Sequence, residues 1–298
     1  MRATIAITVL LLTFLIGAAA LYTNTGFLQG AAIDDLDKHY WRFENGVIKG
    51  AEEYTLKGSN ETCWVMVHGY ESTPAELRSV AEAVNKRFND TVYVPRLKGH
   101  GQLPSDVEKY TVDDWFAQIE QLAQEKNCSY ILGSSMGASL ALRYSQLHPV
   151  EGVVVSGVPL RMEPSYLPTG EIVKVVAPSV NYLKRKSPGE SVEDPEGKRT
   201  HITNWVFPLQ PVAQVYEFNK AIWSDLGGIQ GPVLFIHGTR DKTSGLGAAR
   251  DAYDQVPSPK AFIELQCSHI IFKDHCKEDA IDAVFRLRSG ELTASQFK

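Results

Sequence analysis

Gly133-Ser134-Ser135-Met136-Gly137 stands between a short apolar run, Ser129-Tyr130-Ile131-Leu132, and a helical one, Ala138-Ser139-Leu140-Ala141-Leu142-Arg143-Tyr144. The five residues read G-x-S-x-G. Strand, tight turn and helix is the setting in which that pattern exposes a serine. A turn this sharp brings strand and helix so close that side chains beside the serine clash, which is why glycine flanks it. The serine hydroxyl then stands at a sheet edge above a helix N-terminus. Backbone N–H groups and the helix dipole favour developing negative charge there. Taken alone, the pattern also fits a glycine-rich turn that only packs a helix on a sheet, so the rest of the chain decides.

Short apolar runs and amphipathic runs alternate on both sides of the turn. Upstream, 47–56 reads as a first strand or hairpin arm and 63–67 as a buried strand. Thr73, Pro74 and Glu76 predict a capped helix start, followed by Leu77, Val80, Ala81, Val84 and Phe88 at helical spacing. A strand at 91–94 and a helix at 112–125 with Trp115, Ile119 and Leu122 on one face come next. Downstream, strands are expected at 150–158, 232–236 and 261–265, and helices at 211–226, 246–253 and 273–287. From 160 to 210 the alternation stops, in a segment with prolines, a charged stretch at 190–199 and the apolar set Ile172, Val173, Val176, Val180 and Leu183. The pattern predicts an α/β protein whose mostly parallel sheet has helices on both faces, with an insertion after the strand at 150–158. Right-handed crossovers then bring the loops at 68–72, 98–101, 134–137, 239–243 and 267–270 to one edge, where open α/β sheets bind ligands.

The chain has 298 residues, long enough for one large α/β domain with an insertion or two small domains. A formal net charge of -5 argues against a nucleic-acid surface. Met1-Arg2 precedes an apolar run at 3–21 that ends in small residues, as in an export signal. The run also approaches the length of a membrane span, so an uncleaved anchor and membrane association through 3–21 fit it too. The expected plan is a signal peptide or anchor at 1–21, a linker at 22–45, a domain at 46–290 and a tail at 291–298. Export places the protein in the periplasm or outside the cell. The four cysteines fit that compartment. Cys63 and Cys128 each precede a strand, and parallel neighbours would let them bridge. Cys267 and Cys276 then form the other pair.

A serine hydroxyl needs a base, and the base needs a group to orient it. In an elbow protein the acid and then the histidine follow the serine. His148 ends the elbow helix, His201 lies in the insertion, His237 precedes the best acid and His275 falls inside the expected closing helix. His269 lies in a loop between the last strand and the last helix, so it is the expected base. Among Asp194, Asp225, Asp241, Asp251 and Asp254, Asp241 follows a buried strand by a short turn and is the expected acid. The oxyanion donors are expected to be the backbone N–H groups of Met136 and Tyr70.

His68-Gly69-Tyr70, Gly99-His100-Gly101, Gly133–Gly137, His237-Gly238-Thr239-Arg240-Asp241 and Ser268-His269 together resemble the α/β-hydrolase fold, over about residues 46–290. The chain is most similar to the branch of monoacylglycerol lipases, lysophospholipases and small bacterial carboxylesterases. The resemblance implies a triad of Ser135, Asp241 and His269, and a cap at about 160–210 bearing the acyl-binding surface. It implies cleavage of carboxylic esters with an apolar acyl chain, through an acyl-enzyme, with no cofactor and no metal. Thioesterase, amidase or carbon–carbon hydrolase chemistry uses the same triad, and a membrane-tethered lipid-binding protein is a further alternative. Ser135 stands where dehalogenases and epoxide hydrolases of this fold carry aspartate. Ser134, where a bulkier residue is common, is expected to make the serine pocket more polar, and Ala138 replaces a frequent second glycine.

Overall fold

A computed structural model of the chain describes residues 32–161, 169–177, 181–185 and 187–291. The run at 1–21, expected to serve export or anchoring, lies outside the described residues. No helix among those described is long and apolar enough to cross a membrane.

Seven strands form the central sheet in the order β11-β10-β7-β6-β4-β5-β3. In chain order they are β3 (Tyr54–Leu56), β4 (Cys63–Val67), β5 (Thr91–Val94), β6 (Tyr130–Ser134), β7 (Gly152–Ser156), β10 (Val233–Gly238) and β11 (Lys260–Leu265). Only β3 runs antiparallel to its neighbour. Every residue of β4, β6, β7 and β10 is buried, as strands covered on both faces must be. Trp64 and Met66 pack with helix α2 (Arg78–Phe88) and helix α10 (Lys277–Arg288) on one face. Val65 and Val67 pack on the other, with the short helix α3 (Pro104–Val107), α4 (Val112–Lys126), α5 (Met136–Leu147), α8 (Gln210–Ser224) and α9 (Leu246–Gln255). The chain leaves β4 for β5 on one side and returns to β6 on the other. That reversal opens a crevice at the strand ends, between the loops after β4 and β6.

Several elements differ from the sequence expectation. The 47–56 run is divided between a hairpin, β1 (Phe43–Glu44) with β2 (Val47–Ile48), and strand β3. No capping box forms at Thr73: a 3₁₀ turn, Pro74–Leu77, precedes α2, and the Thr73 hydroxyl donates to Ile202 O at 3.2 Å. Glu76 instead accepts from the Gly69 N–H at 3.3 Å. Leu122 is only partly buried, and Ala123 takes the inward position. His275 precedes α10 rather than lying within it, because a 3₁₀ turn (Ile271–Lys273) occupies the start of that stretch. Within 22–45, residues Ala32–Tyr40 are helix α1. Its Asp37 is fully buried and accepts the N–H groups of Trp205 and Val206 at 2.9 and 3.2 Å, while Trp41 donates to Thr203 O at 3.1 Å.

The described part of the insertion contains helix α6 (Thr169–Val176), helix α7 (Pro195–Thr200) and a hairpin of β8 (Tyr182–Lys184) with β9 (Val206–Pro208). The stretch 201–208 is tied down on two sides. Thr203 donates to Glu71 O and Tyr70 Oη to Pro208 O at 2.6 Å, so it shares bonds with both the loop after β4 and helix α1.

Two disulfides join Cys63 to Cys128 and Cys267 to Cys276, with Cα–Cα distances of 4.8 and 6.0 Å. The first links two neighbouring strands at their N-terminal ends. The second closes the loop that carries His269. Both suit an oxidising extracellular or periplasmic setting. Replacing Cys267 and Cys276 by alanine should lower stability by about 2–3 kcal/mol, the chain-entropy value for so short a loop. Urea unfolding reads this directly. An unchanged midpoint would show that the crosslink restrains nothing the fold does not already hold.

Candidate active site

Ser135 occupies the tip of the turn between β6 and α5, with φ 53° and ψ -121°. A non-glycine residue adopts such a conformation only when its surroundings impose it. Here the Ser135 N–H donates to Ser156 O at 2.8 Å, and close packing does the rest. A Cβ on Gly133 would lie 2.0 Å from Gly137 O, and one on Gly137 would lie 2.2 Å from Val67 O. Both flanking glycines are therefore steric requirements.

The Ser135 hydroxyl lies 2.9 Å from His269 Nε2, and His269 Nδ1 lies 2.7 Å from Asp241 Oδ2. The second contact fixes the tautomer: Nδ1 carries hydrogen toward the carboxylate, leaving Nε2 to accept from the serine. Asp241 also accepts the N–H groups of Thr243 and Ser244 at 2.7 and 3.0 Å, and the Ser244 hydroxyl lies 2.7 Å from Oδ2. Burial alone would raise the Asp241 carboxyl, but the His269 charge and these hydrogen bonds hold it well below the usual carboxylate range. Burial likewise pushes the His269 imidazole down. The Asp241 charge and hydrogen bond outweigh it and leave His269 above its ordinary value. Gly157, at φ +57°, lets the backbone pass beside the ring, since a Cβ there would stand 3.1 Å from Nδ1.

The expected oxyanion donors flank the same serine. A Cβ on Gly69 would sit 3.1 Å from the Ser135 Cβ, so the β4 loop passes directly beside the hydroxyl. Ser72 N–H donates back to Gly69 O, turning the loop around Tyr70. Among the described residues, neither the Tyr70 nor the Met136 N–H is taken up by a hydrogen bond. His68 supports this loop from beneath. Its Nδ1 donates to Gly69 O at 2.8 Å and its Nε2 accepts from the Leu97 N–H at 3.2 Å. Burial pushes its imidazole down to about 4, so it stays neutral and structural. His100 packs edge-on against His68 and Trp115 and is held well below its ordinary value by burial.

None of the other candidates makes a hydrogen bond to the serine, although His237 Nε2 lies 3.5 Å from Asp241 Oδ2. His148 pairs with Glu120, and His275 with Asp274. His237 is buried with Nε2 against Ser244 O, and Asp194 caps α7. His201 reaches the cavity wall but not the serine. Three groups carry positioning duties that the sequence did not reveal. Ser244 holds Asp241. Glu76 holds Gly69. Asp274 accepts N–H groups of Ser268, His275, Glu193 and Asp194, binding the histidine loop to the insertion.

Ser135 and His269 open into a cavity of about 360 Å³. Pro159, Phe207, Val212 and Val215 give it an apolar wall, and Ser72, Arg185, Glu190, His201, Thr203 and Asn219 a polar one. Ser134 is fully buried and does not line it, so the expected polar effect of that residue on the serine pocket is absent. In β6 successive side chains point to opposite sides, which sends Ser134 away from the crevice. The Ser135 hydroxyl, the His269 imidazole and the Asp241 carboxylate therefore form one run of contacts, with Ser135 and His269 at the cavity and the Gly69–Tyr70 loop beside them. Such an arrangement can carry out nucleophilic displacement at an acyl carbon.

Residues 64–286 match the profile described as "Alpha/beta hydrolase family". A thermostable monoacylglycerol lipase from Bacillus sp. (strain H-257) is 37% identical over 107 residues, which cover 35% of this chain and 42% of that protein. The match thus spans less than half of that relative's length. Among solved structures, one from a study of LipS and LipT, two metagenome-derived lipolytic enzymes, superposes with a TM-score of 0.74 at 23% identity, covering 82% of this chain and 99% of that one. The monoacylglycerol lipase of Paleococcus ferrophilus gives 0.70 at 22% identity, covering 80% and 99% of the two chains. These structural likenesses bear on the fold.

Proposed function

The chain belongs to the alpha/beta hydrolase family, and on that premise we propose that it hydrolyses carboxylic esters through an acyl-enzyme on Ser135. The observation that carries this reading is the run of contacts from Ser135 Oγ to His269 and on to Asp241, at 2.9 and 2.7 Å, opening into one cavity.

In this mechanism the Ser135 oxygen attacks the ester carbonyl while His269 Nε2 takes its proton. The carbonyl oxygen gains charge and receives hydrogen bonds from the N–H groups of Tyr70 and Met136. Asp241 stabilises the imidazolium so formed and keeps the ring in register. His269 then returns the proton to the departing alcohol. Water repeats the sequence and releases the acid. Residues at about 160–210 act as a cap, and the apolar wall of Phe207, Val212 and Val215 receives the acyl chain. The 37% identity to a monoacylglycerol lipase favours a lipid monoester as substrate. Residues 1–21 serve export, as a cleaved signal or as a retained membrane anchor.

A fluorophosphonate probe should label Ser135 and no other serine, as read by peptide mass spectrometry. Turnover of p-nitrophenyl esters and monoacylglycerols should vary with acyl length and stop with longer chains than the cavity accepts. A protein that labels elsewhere, or ignores every ester in the series, is not this enzyme.

A further inference from the structure

Beside its apolar wall the cavity carries polar side chains that an acyl chain would leave unused. Building on the ester-hydrolase reading, we propose that it holds a subsite for an anionic oxygen group, carboxylate or phosphate, carried by the alcohol half of the ester and bound by Arg185 with Ser72 and His201.

All three residues line the same cavity as Ser135 and His269. Ser72 and His201 are 3% and 5% exposed, and the Arg185 side chain 17%. Each leaves a buried polar atom without a partner among the described residues: Ser72 Oγ, His201 Nδ1 and Arg185 Nε. An unpartnered buried polar atom costs about 1–3 kcal/mol, so three around one cavity point to a ligand oxygen that satisfies them. Arg185 is also held ready. Its backbone N–H donates to Trp205 O at 2.8 Å, and its guanidinium lies 4.8 Å from the Phe207 ring centre. A guanidinium held over an aromatic ring can still offer N–H groups to an anion.

The charge balance favours an anion over a neutral polyol. Arg185 and Lys242 are the cations of the lining, and Glu190, 3.6 Å from Arg185, is its acid. The fully buried Glu71 lies near enough to feel Arg185, but burial pushes its carboxyl up to about 8, so at pH 7 it is mainly neutral and adds little to the charge that Glu190 and the buried Asp37 already set against the guanidinium. His201 is pushed down to about 3 by burial and by the Arg185 charge, and so offers a neutral imidazole. Opposite, Phe207, Val212 and Val215 suit an acyl chain, which leaves the polar wall to the alcohol.

The test compares three esters of one acyl chain on the full-length protein: a monoacylglycerol, its glycerol 3-phosphate counterpart, and the corresponding ester of lactate. An anionic ester should show kcat/KM about tenfold or more above the neutral one, the gain expected of one charge-assisted contact. Comparing the phosphate and the carboxylate tells which source supplies the anion. Arg185→Gln should lower that ratio about tenfold, and Arg185→Lys should restore part of it. If Arg185→Gln fails to fold, inhibition of the unaltered enzyme by glycerol 3-phosphate and lactate against glycerol decides. Equal inhibition, or a neutral ester preferred over both anionic ones, overturns the subsite while ester hydrolysis stands. No turnover of any of the three overturns both.

Discussion

Ser135→Ala is expected to lower kcat on an activated aryl ester by about a millionfold, the scale seen when a triad nucleophile is lost. Neither of the serines beside the triad can take its place. Ser134 is buried behind the strand, and the Ser244 hydroxyl is engaged with Asp241. The side chain itself does little for the fold, and alanine keeps the backbone of the turn. The variant should therefore melt within a degree or two of the parent, since substitutions that remove no packing change stability little. Stopped assays with titrated enzyme measure the loss. A residual rate within a hundredfold of the parent would remove the elbow from the mechanism.

Asp241→Asn should cost about ten-thousandfold in kcat, with a shift in pH dependence that a general loss of structure would not give. In the parent, Asp241 raises the His269 imidazole above its ordinary value of 6.5 despite burial. The base acts as neutral imidazole, so kcat/KM should rise with pH along a limb centred above 6.5. With asparagine, the charge that opposes burial is gone. Burial, the largest influence, then outweighs the remaining Glu76 charge and pushes His269 down, and the limb moves to lower pH while the plateau falls. A pH profile of each protein checks the sign. A limb that stays in place would mean that Asp241 does not set the His269 charge.

Much of this site was legible because its parts follow regular strands. Val67, Ser134, Gly238 and Leu265 each close a buried or half-buried parallel strand, and the functional loops begin there. Period and burial place such loops without knowledge of side-chain contacts. The insertion resisted reading for the opposite reason. It is held by bonds between residues far apart in sequence, such as Tyr70 Oη to Pro208 O and Asp274 to Glu193 and Asp194. No local pattern announces them. Thr73 shows the same limit at short range. Threonine, proline and glutamate at the right spacing describe a capping box, yet Glu76 is drawn to Gly69 beside the serine and Thr73 to Ile202. Tertiary partners there outweigh a local preference of about 1 kcal/mol.

Helix α1 adds a matter of timing. Asp37 waits for Trp205, 168 residues further along. At 5–20 residues per second, synthesis takes roughly ten to thirty seconds to supply that partner. A nine-residue helix does not persist alone in water, so the first helix described is among the last to settle. Because 201–208 also braces the loop bearing Tyr70, that loop beside Ser135 waits with it. A hydrolase assembled in this order stays dormant while its chain is still being made, and becomes active only once 201–208 has joined the rest.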